Sequence, residues 1–205
     1  LAKGGKKLHD YRRKRDTGST PEPGGGSEVD FSWAERRPVF VIQEHDASTL
    51  HYDFRLEADG VLKSWAVPKG PSTDPREKRL ALPTEDHPLE YADFEGVIPE
   101  DDYGGGTVLV WDRGPYRNLG EGEDGPKPLS DQIEDGHVKV WLEGEKITGG
   151  YALVRTGKGG DARWLLVKMD DDEADARRNP VSTEPRSVAS GRTRDEIRAD
   201  AEDGS

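Results

Sequence analysis

Apolar and polar residues alternate with a period of two through the middle of the chain. The clearest run is Leu50, His51, Tyr52, Asp53, Phe54, Arg55, Leu56, Glu57. Successive side chains of a strand point to opposite faces, so Leu50, Tyr52, Phe54 and Leu56 share one face and His51, Asp53, Arg55 and Glu57 the other. Comparable patterns predict strands at about 39–43, 50–57, 61–68, 78–82, 106–112, 137–142, 146–155 and 163–169. Ala58, Asp59 and Gly60 form a strong hairpin signal between two of them, and Glu143, Gly144 and Glu145 a weaker one. Short strands, Gly-rich turns and little helical periodicity predict a mainly β protein, a barrel or a sandwich. Trp65, Trp111, Trp141 and Trp164 all fall in strand patterns and are expected to pack there.

Composition explains where the pattern stops. Of the 205 residues, 31% are hydrophobic and 35% charged, so the apolar residues must be concentrated in part of the chain. Residues 1–30 read as a basic arm and a Gly/Pro linker, residues 31–170 as the packed domain, and residues 171–205 as a polar, mobile tail with a short helix near 194–201. Residues 118–135 read as a polar insertion. The net charge of −12 disfavours a polyanion partner at first sight. The first twenty residues, however, hold seven Lys and Arg against two Asp. A basic arm on an acidic body is compatible with nucleic acid if the site itself is basic. There is no cysteine, which excludes disulfides and thiolate metal sites. No apolar run approaches a membrane span and no signal-peptide core is evident, so the expectation is a soluble, cytoplasmic protein with no membrane partner. The initial Leu1 suggests an excised or trimmed chain.

The polar face of the 50–57 strand carries the chemistry. His51 and Asp53 lie two positions apart, roughly 7 Å between Cα atoms, and converge on one point. His45 reaches the same point from the preceding segment. Two imidazoles and a carboxylate suit Mn, Fe or Zn and leave coordination positions open. Arg55 extends the face, either as an ion pair with Glu57 or as a fork for phosphate. Lys69 and Arg79 from the following segments would add positive charge, and His87 in its loop could donate a proton. Gly104, Gly105 and Gly106 read as a tight turn or bulge in preference to a phosphate cradle.

The segments 40–57 and 60–71 closely resemble the 3′-phosphoesterase domain of bacterial DNA ligase D, as do Glu85–Tyr91, Phe94–Pro99, Tyr103–Thr107 and Trp164–Lys168. The arm, with Tyr11–Asp16 and Pro21–Pro23, is similar too, although Thr17 stands where that family commonly has an aromatic residue. The resemblance implies a compact closed β-barrel of about eight strands and a manganese-dependent enzyme of end-joining repair, associated with the nucleoid. It implies removal of 3′-terminal ribonucleosides and of 3′-phosphates from a primer strand, leaving 3′-hydroxyl ends. By motif, His45, His51 and Asp53 would hold the metal. Arg55, Arg79 and His87 would hold the phosphate, with Tyr91 and Lys69 close by and Arg15, Asp16 and Glu22 supporting from the arm. Ligase, polymerase and end-bridging proteins would be partners. No such domain follows residue 170, so a stand-alone enzyme or an excised piece is expected.

Spacing alone admits rivals. His51 and Asp53 with a distant His87 or His137 imitate the two-histidine, one-carboxylate triad of non-haem iron oxygenases. A non-catalytic docking module for repair proteins would make no use of His51 at all.

Overall fold

The computed structural model describes residues 7–18, 20–157 and 163–203. Its centre is a closed antiparallel barrel of eight strands. Three consecutive hairpins give β1 (Val39–Asp46), β2 (Leu50–Ala58), β3 (Val61–Val67) and β4 (Lys78–His87). A short edge strand β5 (Gly96–Ile98) precedes β6 (Gly106–Asn118), and a small two-stranded ribbon follows as β7 (Glu121–Gly122) and β8 (Gly125–Pro126). The barrel is completed by β9 (His137–Glu143), β10 (Thr148–Thr156) and β11 (Arg163–Lys168). The ring runs β1-β2-β3-β4-β11-β10-β9-β6 and returns to β1. Closure depends on β6, which pairs with β1 through Thr107–Pro115 and with β9 through Tyr116–Asn118.

The hairpin signals are realised for stated reasons. Asp59 and Gly60 both take positive φ, 54° and 78°, as a two-residue turn matched to strand twist requires. The 143–145 turn is longer than expected, so β10 begins at Thr148. Residues 145–147 wrap around Asp112, whose carboxylate accepts the N–H groups of Glu145, Lys146 and Ile147. The 118–135 segment contains α2 (Leu129–Asp135), closed by Gly136 at φ 80°. Seven residues are too few to show a helical period.

The barrel interior is filled by Phe40, Ile42, Tyr52, Phe54, Leu56, Trp65, Trp111 and Leu142 with their neighbours. Leu50, at the start of its strand, is 39% exposed. A second apolar layer lies on the outer face of β1, β3 and β6. Val41, Leu62, Val108 and Val110 are covered there by Leu8 and by Tyr11 of the following helix α1 (His9–Lys14), by a 3₁₀ turn carrying Tyr91, and by Ile98 of β5. This part of the sheet is therefore buried on both faces, and a polar site built on its outer face is covered too.

The segment after Asp170, expected from composition to be mobile, lies on the barrel through residue 203. The Trp111 indole donates to the Glu184 carbonyl (2.9 Å). Lys146 donates to the same carbonyl at 2.8 Å. A short helix α3 (Pro180–Thr183) is followed by α4 (Arg194–Asp203), where the short helix was predicted. Ile197 is buried, and Arg194 and Arg198 pair with Glu44 (3.1 Å) and Asp46 (2.6 Å) of β1. The segment is docked by carbonyls, arginines and a few scattered apolar residues, Val181, Val188 and Ile197, spaced too widely to register in a hydropathy pattern. No helix among the described residues is long and apolar enough to cross a membrane.

Candidate active site

The site is assembled on the outer face of the β1–β2 hairpin. Antiparallel register sets His45 opposite His51 and Gln43 opposite Asp53, and β3 sets Ser64 opposite Arg55. One ligand atom from each of His45, His51 and Asp53 lies within 4.8 Å of the others. His45 Nδ1 is 3.5 Å from one Asp53 oxygen and His51 Nε2 is 3.6 Å from the other. Two donors each ~2.1 Å from one ion, at tetrahedral to octahedral angles, sit roughly 3.0–3.5 Å apart. The remaining ring nitrogens decide the tautomers. His45 Nε2 donates to the Gly104 carbonyl and His51 Nδ1 to the Thr49 carbonyl, each at 2.8 Å. In the neutral rings both lone pairs then face Asp53, the arrangement in which outer carbonyls orient imidazole ligands. The donor set fits a divalent ion.

A cationic patch abuts it. Arg55 is only 2% exposed. It donates to Gln43 Oε1 (2.8 Å), Ser64 Oγ (2.9 Å) and Asp53 Oδ2 (3.1 Å), with its guanidinium 4.9 Å from the Tyr91 ring centre. It does not pair with Glu57, which accepts the Val39 N–H. Burial alone would raise Asp53, but the Arg55 charge and the two histidines reverse this and hold its carboxyl well below the usual range.

The arm closes the other side. Arg15 bonds Glu22 (2.8 Å) and Glu85 (2.7 Å), and its Nη2 lies 3.3 Å from His87 Nε2. Tyr91 donates to Glu22 at 2.9 Å. Asp16 shapes the bend between Arg15 and Glu22, its side chain accepting the Gly18 N–H and its carbonyl the Thr20 N–H. His87 donates from Nδ1 to the Glu85 carbonyl (2.9 Å), so its Nε2 faces the cavity as an acceptor. Burial first, then the charges of Arg55 and Arg15, lower its pKa well below that of a free histidine.

These groups line one cavity of about 160 Å³, with Tyr103 at its wall. Of the residues singled out from sequence, His45, His51, Asp53, Arg55, His87, Tyr91 and Arg15 line it. Glu22 stands behind them. Lys69 and Arg79 do not join the lining: Arg79 donates to the Lys69 carbonyl (3.2 Å) and to Glu77. β4 runs ten residues, five beyond the predicted end, and five strand residues between Arg79 and Thr84 amount to roughly 16 Å. Gln43, Ser64, Glu85 and Tyr103 were not singled out. The first and third sit two positions before His45 and His87, a spacing that could have flagged them. The glycine run is a close-packed turn: a Cβ on Gly106 would stand 2.1 Å from the Asp46 carbonyl oxygen.

The model of the DNA ligase D 3′-phosphoesterase domain matches residues 43–155. The chain belongs to this family. It is 50% identical over 191 residues to the multifunctional non-homologous end joining protein LigD of Pseudomonas aeruginosa, covering 92% of this chain and 22% of that protein. It is 45% identical over 173 residues to the LigD repair protein of Mycobacterium tuberculosis and 46% over 170 to that of Mycolicibacterium smegmatis. Each of these two matches covers 82% of this chain, and 20% and 21% of the respective relative. The chain thus spans about a fifth of the length of these curated relatives. The matched stretch, from Gln43 to Arg155, holds all three candidate metal ligands, Arg55, His87 and Tyr91. The arm lies outside it.

Proposed function

We propose that this domain is a manganese-dependent 3′-phosphoesterase acting on DNA ends in end-joining repair. It would remove a 3′-terminal ribonucleoside by phosphodiester cleavage and a 3′-phosphate by monoester cleavage, leaving a 3′-hydroxyl. The observation that carries the reading is the juxtaposition in one cavity of two histidines, each oriented by a carbonyl, with a carboxylate, a buried arginine and a buried histidine. Family membership supports the same activity.

His45, His51 and Asp53 would hold the ion, which when bound withdraws charge from the phosphate as a Lewis acid. Arg55 positions the scissile group. Three of its five N–H donors serve Gln43, Ser64 and Asp53, leaving one on each terminal nitrogen for two phosphate oxygens. Arg15 adds a second positive charge against the developing charge on the phosphate, and Glu22 and Glu85 hold it in place. His87 accepts at Nε2 before substrate enters, so it must first gain a proton to protonate a leaving oxygen. In the monoesterase step a phosphate monoester near its second pKa of about 6 brings one; a diester carries none, and there the proton released by the attacking water is the one the leaving oxygen gains. Among the described residues that line the cavity none is a serine or cysteine and Thr84 is the one with an aliphatic hydroxyl, and the proposed route is direct attack by water.

His87 is bonded to Glu85 and Arg15 and His137 is an exposed residue of β9, so neither joins His51 and Asp53 as the oxygenase reading required. The third candidate ligand, His45, still makes two histidines and a carboxylate, and it is the buried Arg55 and His87 beside that set which favour phosphate chemistry over oxygen chemistry. Mn-dependent phosphate release from a 3′-phosphorylated primer should fall by more than about a hundredfold in His51→Ala. Equal release by both proteins, or none by either, would overturn the proposal. Ligase, polymerase and end-bridging proteins are proposed as partners because the family is that of DNA ligase D and the relatives are named for non-homologous end joining.

A further inference from the structure

We infer that Tyr103 is a stacking platform for the nucleobase beside the scissile phosphate, and that it makes the site select a polynucleotide end over free phosphate. The inference rests on the phosphoesterase reading and extends it from the phosphate to the nucleoside.

The cavity bounded by the histidines, Arg55 and His87 holds about 160 Å³. That is below the roughly 300–1,000 Å³ of pockets that enclose a whole small-molecule ligand, and suits a phosphate group better than a nucleotide. The sugar and base attached to a bound phosphate must therefore lie at the cavity mouth. Tyr103 lines that cavity and is 50% exposed, the only exposed phenyl, phenol or indole ring among the described residues. Buried tyrosines elsewhere in the molecule fill the core or donate to fixed partners. Tyr103 does neither.

Its position is fixed from behind. Asp102 donates to the Pro99 carbonyl and Gly105 to the Asp102 carbonyl, both at 3.0 Å. The next residue, Gly104, gives its carbonyl to His45, so the ring is one residue from the group that orients a candidate metal ligand. The charges around it differ from side to side. Lys14 lies over the ring at 4.8 Å and the Arg15 guanidinium over it at 5.1 Å from the ring centre, and Lys14 also donates to the phenol oxygen at 3.2 Å, so a base would stack on the face these cations leave open. Beyond Gly104 opens a larger basin of about 740 Å³ edged by Asp46, Glu100, Asp102 and Glu202, with Arg198 as its cation. On the arm side Lys14 and Arg15 share Glu85 (3.1 and 2.7 Å) and Arg15 also meets Glu22 (2.8 Å), so cations and carboxylates balance there while the basin is acidic, and a phosphodiester backbone is repelled less toward the arm. Tyr103 stands at the boundary, where a chain leaving the cavity toward the arm passes its ring. A π-face accepts any base, so the contact selects for a nucleotide without reading sequence.

The test uses Tyr103→Leu, which keeps bulk without an aromatic face, and Tyr103→Phe, which keeps the face without the hydroxyl. Two measurements are made on the intact chain with Mn. The first is KM for a 3′-phosphorylated primer against the inhibition constant of inorganic phosphate. The second is fluorescence quenching of 2-aminopurine placed at the 3′-terminal nucleotide. Leu is expected to raise KM about 5- to 100-fold, the range of base–aromatic stacking. It should leave phosphate inhibition within twofold and abolish the quenching; Phe should behave as wild type in all three. Equal loss of primer and phosphate binding in Leu would make the residue merely structural, and unchanged quenching in Leu would remove stacking. Both would overturn the inference. Quenching by a wild-type protein that releases no phosphate would preserve the stacking and defeat the phosphoesterase reading instead.

Discussion

Arg55 has two obligations that separate it from an arginine on an ordinary strand face. It satisfies Gln43 and Ser64 in a buried layer, and it faces a carboxylate that a cation would also neutralise. Removing one member of a buried charge pair costs about 3–5 kcal/mol because its partner is left uncompensated. Arg55→Ala is therefore expected to lower the melting temperature of the metal-free protein substantially. It should recover part of that loss when Mn is added, since a bound cation can compensate Asp53, while activity stays abolished. A variant that neither binds nor is stabilised by Mn would show Arg55 to be required for the metal site itself. His87 supports a second prediction. Its pKa is depressed by burial and by Arg55 and Arg15, so the free protein keeps the ring neutral where an unperturbed histidine, near 6.5, is half protonated. Bound phosphate reverses the sign of the local field and should raise that pKa. Ring-proton NMR titration with a diamagnetic divalent ion, with and without inorganic phosphate, reads this directly. A His87 resonance that titrates at 6.5 in both states would eliminate the proton-acceptor role.

The strands were legible because their side chains alternate and their turns carry Asp-Gly or Gly signals. The covering of the outer face was not. His51, Asp53 and Arg55 read as the wet side of a strand, yet Asp53 and Arg55 are 6% and 2% exposed. Nothing in β2 announces that Arg15 of the arm and the turn carrying Tyr91 will close over its polar face, and the arm's six-residue helix is too short and too charged to stand out by periodicity. The triad was legible from spacing within β1 and β2, whereas Arg15 and Glu22 emerged only from the family resemblance. Arg79, given a phosphate-holding role by the resemblance, lies outside the cavity lining and meets Glu77. The arm is held chiefly by Tyr11, which is fully buried, donates to the Pro23 carbonyl at 2.7 Å and meets His87 and Tyr91 edge to face. Truncating a buried aromatic to alanine costs about 3–5 kcal/mol, and here that cost falls on docking of the arm. Tyr11→Ala should expose the Arg12–Arg15 stretch to trypsin and lower phosphate affinity, while the barrel's own unfolding changes less than in Phe54→Ala. Unchanged cleavage would mean that the arm is held by its ion pairs instead.

Across the molecule, charge and tail have to be considered together. The net charge of −12 is carried by the body, and the cations that matter for a polyanion are gathered at Lys14, Arg15 and Arg55 around one cavity. The basin beside Gly104, edged by Asp46, Glu100, Asp102 and Glu202, is by contrast acidic. The carboxy-terminal segment completes the same body. Its link to the barrel centres on Lys146, which donates to the carbonyls of Glu184 and Arg186 and sits 4.7 Å from the Trp111 ring centre. Burial, the largest influence, lowers its pKa to about 8, against the pull of Asp112 and Glu184. The sign follows from linkage. A base whose folded pKa lies below its unfolded value near 10.4 contributes stability in full above that value, and loses it as pH falls through the folded pKa. Wild type should therefore gain stability from this group as pH rises from about 8 to 10.4. In Lys146→Met, which keeps the packing stem without a titrating amine, that component is absent. The difference in unfolding free energy, wild type minus variant, should grow across the interval, with other lysines and tyrosines cancelling between the two proteins. A difference that stays flat or shrinks would mean that the ammonium group is as well solvated in the folded chain as in the unfolded one, and that the tail is docked by its carbonyl contacts to Trp111 and by Ile197 rather than through a desolvated charge.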